Sequence, residues 1–191
     1  MESNNEKETR IYLFKIKPRS QAEMSLFAKS KVLSLASKDL NISPESVVLK
    51  KHKHGKPYIY GADNWHFNIS HTDDMIGIAV SNEPVGIDVE RIKGANLWIA
   101  KRFFTVSENY YIESAVCKDR SFFEIWTKKE AYLKYIGKGL SISLRAIDVF
   151  GLPCAMESFE KDGYMISVCR DTHKSGLTIE FCDLAYNKET I

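Results

Sequence analysis

Val85-Gly86-Ile87-Asp88-Val89-Glu90 is the stretch on which the reading of this 191-residue chain turns. Apolar residues at every second position predict a strand whose Ile87 and Val89 face a core, while Asp88 and Glu90 share the opposite face. Upstream lie short apolar runs of the same kind, Val47 to Leu49, Tyr58 to Tyr60, Trp65 to Ile69 and Ile76 to Val80. Between them stand His54-Gly55-Lys56-Pro57, Gly61-Ala62-Asp63-Asn64, Thr72-Asp73-Asp74 and Asn82-Glu83-Pro84. Turn chemistry at such short intervals predicts an antiparallel meander over residues 46–90. Ahead of it, Ile11 to Ile16 alternates as a strand and Pro18 ends it. Met24, Phe27, Leu33, Leu35 and Leu40 then recur at helical spacing over Gln21 to Leu40, and Asn41-Ile42-Ser43-Pro44 breaks that pattern.

Beyond the meander the order of elements repeats. Leu97 to Phe104, Ser107 to Val116 and Ser121 to Ile136 read as helices; Arg145 to Phe150, Tyr164 to Cys169 and Leu177 to Asp183 read as strands. The expected class is α+β: two similar lobes in pseudo-two-fold relation, residues 1–90 and 91–191, each with helices packed on a small antiparallel sheet.

Composition narrows the functional classes. At 44% hydrophobic and 27% charged residues the chain can build a core, which excludes general disorder. The 27 Lys and Arg nearly balance the 25 Asp and Glu, a net charge of +2 that argues against a nucleic-acid partner. No apolar run approaches the ~20 residues of a membrane helix, and Met1 to Arg10 has no signal-peptide core, so a cytoplasmic location is expected. Cys117, Cys154, Cys169 and Cys182 form no CxxC pair, which speaks against zinc and for buried or half-buried thiols.

Four segments carry residue types suited to chemistry. Asp88 and Glu90 side by side repel unless a cation lies between them, and Mg²⁺ is held by one or two carboxylates plus phosphates; a solvated strand end is the plainer account. Glu130 and Lys134, one helical turn apart, can serve one site or form an ordinary surface ion pair. In His66-Phe67-Asn68-Ile69-Ser70-His71, the adjacent Ser70 and His71 point to opposite faces and no Gly-x-Ser-x-Gly elbow occurs. His71 is therefore either a ligand-binding group or a histidine satisfying a turn, rather than a base for Ser70. Lys50-Lys51-His52-Lys53-His54-Gly55-Lys56-Pro57 is either an anion-binding loop or a solvated hairpin tip.

Together with Arg102-Phe103-Phe104, Glu108, Trp126-Thr127-Lys128-Lys129-Glu130-Ala131-Tyr132-Leu133-Lys134 and Gly137-Lys138-Gly139-Leu140, these segments resemble the 4′-phosphopantetheinyl transferase superfamily, surfactin-synthetase-activating type, from about Gly55 to Leu144. The resemblance implies a monomer with the active site between its lobes. It implies Mg²⁺-dependent transfer of the phosphopantetheine arm from coenzyme A to a serine of an acyl or peptidyl carrier protein, with release of 3′,5′-ADP. It implies Asp88, Glu90 and Glu130 as metal ligands; Lys56, Pro57, Ser70, His71, Asp88 and Lys134 around coenzyme A; and Glu130, Lys134 and Glu108 in catalysis. The alternative is a non-catalytic coenzyme A or carrier-protein binding module of the same descent.

One region departs from the family pattern. Where relatives carry several Arg and Lys, this chain has Gln21-Ala22-Glu23-Met24-Ser25-Leu26, with Lys29 and Lys31 as the nearest replacements. The departure bears on donor affinity more than on the reaction. Carrier proteins tend to present acidic helices, so a basic or apolar docking face is expected at Asn96 to Phe104 and the loop beyond.

Overall fold

A computed structural model describes residues 8–17, 20–72, 74–171 and 176–183. Pro18 and Asp73, named above, lie outside the described residues, as do the side chains of Leu140 and Cys182. The elements are β1 (Glu8–Lys15), α1 (Gln21–Leu40), β2 (Leu49–Lys51), β3 (Pro57–Ile59), β4 (His66–Thr72), β5 (Met75–Ser81), β6 (Val85–Arg91), α2 (Leu97–Phe103), α3 (Val106–Ser114), α4 (Lys118–Ile136), β7 (Ala155–Lys161), β8 (Tyr164–Arg170) and β9 (Gly176–Asp183). No helix among the described residues is long and apolar enough to cross a membrane.

Two sheets pack face to face between two long helices, in the order α1, sheet β4-β5-β1-β9, sheet β6-β8-β7, α4. Period-two alternation builds these layers. On β1, Tyr12 and Phe14 face α1 while Ile11 and Leu13 face the second sheet; on β5, Ile76, Ile78 and Val80 face α1 while Met75 and Ala79 face inward. Val85, Ile87 and Val89 of β6 meet them across the interface with Tyr164, Ile166 and Val168 of β8. The mixed α+β class and the expected face of β6 are thus observed.

Helix α1 starts at a capping box, in which Ser20 accepts from the Glu23 amide and Glu23 answers the Ser20 amide. Its deepest residues are Met24, Ala28, Val32 and Ala36, spaced by four. The larger Phe27, Leu33, Leu35 and Leu40 flank that seam half-buried, because small side chains let the axis approach the sheet.

Three features differ from the sequence expectation. First, the pairings cross between the halves: β6 pairs antiparallel with β8, and β9 returns to pair parallel with β1. Second, Arg145 to Phe150 is not a strand. A 3₁₀ turn covers Leu144–Ala146, the Leu144 and Ile147 carbonyls accept from Lys129, and the Val149 amide donates to Glu108, so this backbone is satisfied by a buried ion pair instead of a ladder. Third, the remaining strand of the second sheet is β7, a half-buried edge strand too polar to stand out by its hydrophobicity.

Gly86 fixes the distance between β6 and α4. A Cβ there would lie 2.0 Å from the Ala131 carbonyl oxygen and 2.5 Å from the Tyr135 nitrogen, both backbone atoms that cannot rotate away. Gly86→Ala is expected to push α4 off the sheet and lower the unfolding free energy by about 3 kcal/mol, the upper end for overpacking. Urea denaturation checks this; an unchanged midpoint would refute the close approach.

Candidate active site

Strand β6 is an edge strand, and its outward amides need acceptors. They are met by side chains from the other sheet: Asn68 Oδ1 accepts from the Ile87 amide at 2.9 Å and Ser70 Oγ from the Val89 amide at 3.2 Å. Asn68 and Ser70 are alternate residues of β4, so a single strand face supplies both, and the sheets are joined at the point where Asp88 leaves β6.

Asp88 is buried. Its Oδ1 accepts from Ser70 Oγ at 2.9 Å and from Lys134 Nζ at 2.6 Å, and Lys134 also donates to Ser70 Oγ at 2.9 Å. Its Oδ2 is buried with no hydrogen-bond partner among the described residues. Glu90, two residues along the same face, accepts from the Trp126 indole, yet burial and then the charge of Asp88 push it up to about 7. Burial and the same Asp88 charge raise Glu130. Glu90 and Glu130, held above their ordinary range by burial and by the Asp88 charge, are groups short of positive charge.

The described residues contain no cluster of three or more His, Cys, Asp or Glu side chains closed around a ready-made metal position. The set nonetheless fits Mg²⁺ in chemistry. Its donors are hard carboxylate oxygens, one of them orphaned, and Mg²⁺ leaves much of its coordination sphere to water and phosphate. In the free protein Lys134 supplies the nearest positive charge to Asp88.

A cleft of about 260 Å³ opens beside this cluster, lined by His54, Lys56, Pro57, Asn68, Glu130 and Lys134 among others. It gathers the basic hairpin loop, β4 and α4 in one place. Lys56 reaches it differently from the expected phosphate contact: its ammonium donates to the carbonyls of Val85 at 3.0 Å, Lys134 at 2.6 Å and Tyr135 at 3.1 Å. It thereby ties the end of α4, capped by Gly137 at φ 65, to the start of β6.

Burial lowers Lys56 to about 8 from 10.5. Between those values the unfolded chain binds more protons than the folded one, so the contribution of Lys56 to stability rises with pH across that window. The unfolding free energy of the wild type relative to Lys56→Met should therefore increase from pH 8 towards 10.5. A difference that stays flat or falls would refute the burial.

His71 projects away from Ser70, as the alternation requires, and its Nε2 lies 3.1 Å from Ser25 Oγ on α1. Its Nδ1 is buried without a hydrogen-bond partner among the described residues, and burial followed by the Lys134 charge lowers its pKa, so the neutral ring is favoured.

Glu108 is a correction. It is fully buried: Oε2 accepts from the Thr105 amide at 2.7 Å and pairs with Lys129 at 2.7 Å, and Oε1 accepts from the Val149 amide at 2.9 Å. A carboxylate closed off on every side cannot reach a substrate serine, so Glu108 is a capping and core group. Asn68 and His54 are cleft residues not singled out as site residues in the sequence; for Asn68 the signal was its shared strand face with Ser70.

Two family models match the chain. One described as 4′-phosphopantetheinyl transferase superfamily covers residues 84–182, and one described as 4′-phosphopantetheinyl transferase, N-terminal, covers residues 3–83. Their junction falls just ahead of β6, the strand that pairs with β8. The chain is 43% identical over 109 residues to the 4′-phosphopantetheinyl transferase gsp of Aneurinibacillus migulanus, which covers 56% of this chain and 45% of that protein. It is 30% identical over 182 residues to a 4′-phosphopantetheinyl transferase of Bacillus subtilis, covering 86% of this chain and 79% of the relative. Against the 4′-phosphopantetheinyl transferase AcpT of Salmonella typhimurium it is 33% identical over 146 residues, 72% of this chain and 73% of the relative. The chain thus spans less than half the length of the first of these proteins and most of the other two.

Proposed function

Because the chain belongs to the 4′-phosphopantetheinyl transferase superfamily, whose members transfer the phosphopantetheine group, we propose that it moves this arm from coenzyme A to a serine of an acyl or peptidyl carrier protein, with Mg²⁺ and release of 3′,5′-ADP. The observation that carries the reading is Asp88, held by Ser70 and Lys134 with one oxygen unpartnered, between Glu90 and Glu130 at the edge of a basic cleft.

Asp88, Glu90 and Glu130 are the residues that would hold Mg²⁺. Bound there, the ion supplies Lewis-acid stabilisation of the charge that builds on the pyrophosphate oxygens. The protein's own groups do the rest. Lys134 leaves Asp88 to meet a pyrophosphate oxygen, since it is partly exposed and one turn from Glu130. Ser70, His71 and the hairpin carrying Lys56 and Pro57 position the nucleotide end of the donor, with Lys56 holding the wall rather than the phosphate. Glu130, on the cleft wall, accepts the proton of the incoming serine hydroxyl. The partner supplies the nucleophile, so the enzyme needs no activated serine or cysteine of its own.

The carrier approaches over α2 and the start of α3, where Trp98, Phe103, Val106 and Tyr110 are exposed beside Lys101 and Arg102. We place the reaction in the cytoplasm and assign it to a monomer, with no nucleic-acid or membrane partner.

Intact-mass spectrometry of an apo carrier protein incubated with the enzyme, coenzyme A and Mg²⁺ tests the reading. A mass gain of one phosphopantetheine arm that EDTA abolishes is expected. No gain on fatty-acid or peptide-synthetase carriers, with coenzyme A still bound, would make the chain a binding module instead.

A further inference from the structure

Cys154 and Cys169 have no part in the transfer chemistry, yet the fold sets them against each other. Cys169 lies on β8 on the face turned towards α4 and is fully buried; Cys154 immediately precedes β7 and is half-buried. In the β7–β8 register Ala155 stands opposite Arg170 and Met156 opposite Cys169, so Cys154 is the diagonal neighbour of Cys169 across an antiparallel pair. Their sulfurs are 3.1 Å apart, with the Cys169 thiol donating to Cys154. Two thiols already in sulfur-to-sulfur contact have only to close from 3.1 Å to the ~2.05 Å of a disulfide bond. Cys117, by contrast, is exposed, against the expectation of buried or half-buried thiols.

We propose that Cys154 and Cys169 form an oxidisable dithiol, a modification site at which a hydroperoxide converts the pair to an intramolecular disulfide. The sulfur of the half-buried Cys154 attacks the peroxide: an S–O bond forms, the O–O bond breaks, and water leaves after proton transfer from the thiol. The buried Cys169 sulfur then displaces the second oxygen: the S–S bond forms, the S–O bond breaks, and the Cys169 proton departs with that oxygen as water. Two thiols lose two electrons and two protons in all, and one hydroperoxide is reduced to two waters (water and an alcohol for an organic peroxide). Burial raises both thiols, so thiolate is scarce near neutral pH and the first step is slow, faster in more alkaline buffer. Cys169 is also the register partner of Gly86, where β6 touches α4, so the new bond would form directly behind the wall of the cleft.

The test treats the reduced, full-length protein with hydrogen peroxide, quenches in denaturant with an alkylating agent, and maps non-reduced peptides by mass spectrometry. The expected product is a peptide pair joined through Cys154 and Cys169 within one chain, lost on reduction. In Cys169→Ser the resolving thiol is gone, and Cys154 should be captured as the sulfenic acid by dimedone. Recovery of both residues as alkylated thiols while Cys117 is oxidised would overturn the proposal, as would linkage of either residue only to a second molecule. The site stands apart from the transferase reading and survives or fails independently of it.

Discussion

Asp88→Asn should reduce phosphopantetheine transfer on the order of 10³-fold at saturating carrier and coenzyme A, while leaving the protein folded. The substitution keeps the shape of the side chain and an oxygen that can accept from Ser70 and Lys134, so the junction between β4, β6 and α4 survives. It removes the one carboxylate that borders both Glu90 and Glu130, and with it the like charge that helps hold both above their ordinary range. The fold therefore loses a repulsion along with an ion pair, and the thermal midpoint should move by only a few degrees, as for a change of about 1 kcal/mol. The chemistry loses the centre of the cation position. A second readout separates the two: Mg²⁺ should raise the midpoint of the wild type and leave that of Asp88→Asn unmoved. Transfer retained by the variant at high Mg²⁺ would sink the assignment of Asp88.

The alternation in Val85-Gly86-Ile87-Asp88-Val89-Glu90 placed Asp88 and Glu90 on the face away from the inter-sheet core, and the structure has them there, because a period of two leaves a buried strand no other choice. Asn68 and Ser70 were legible as one face of β4 by the same rule, but not their task. No local pattern says that the amides of an edge strand in another sheet will need acceptors. The parallel return of β9 to β1 was also hidden, since a pairing between residues so distant in sequence leaves no periodic trace.

Glu108 marks the other limit. Thr105-Val106-Ser107-Glu108 carries the spacing of a capping box, and in the structure both reciprocal bonds are present. The resemblance puts Glu108 in the site by its position among matching motifs; the capping spacing, unread there, is the local signal for a structural role. On α4, Lys129 and Glu130 are adjacent in sequence but about 100° apart around the axis. One enters the core and the other lines the cleft, and only the packing of α3 and the turn at residues 144–147 tells them apart.

That division leads to an opposite outcome for the neighbouring pair: Lys129→Met should cost about 3–5 kcal/mol of stability, a large part of the ~5–15 kcal/mol typical of a folded protein. Lys129 and Glu108 are both fully buried, and the lysine also donates to the Leu144 and Ile147 carbonyls. Burial pulls the lysine pKa down while Glu108 holds it up, so each ion is tolerated only through the other. Methionine fills the space but leaves the Glu108 carboxylate charged in a core of Phe104, Ile112 and Phe122. A neutral partner should relieve that charge, so Lys129→Met with Glu108→Gln is expected to unfold at higher urea than Lys129→Met alone. Two independent losses would instead add. Glu108→Gln by itself tests the catalytic question: stability should fall, while transfer per folded molecule stays close to that of the wild type. If transfer collapsed in a variant still folded by urea titration, Glu108 would have to reach the substrate after all, and the closed ion pair would be only one state of that side chain.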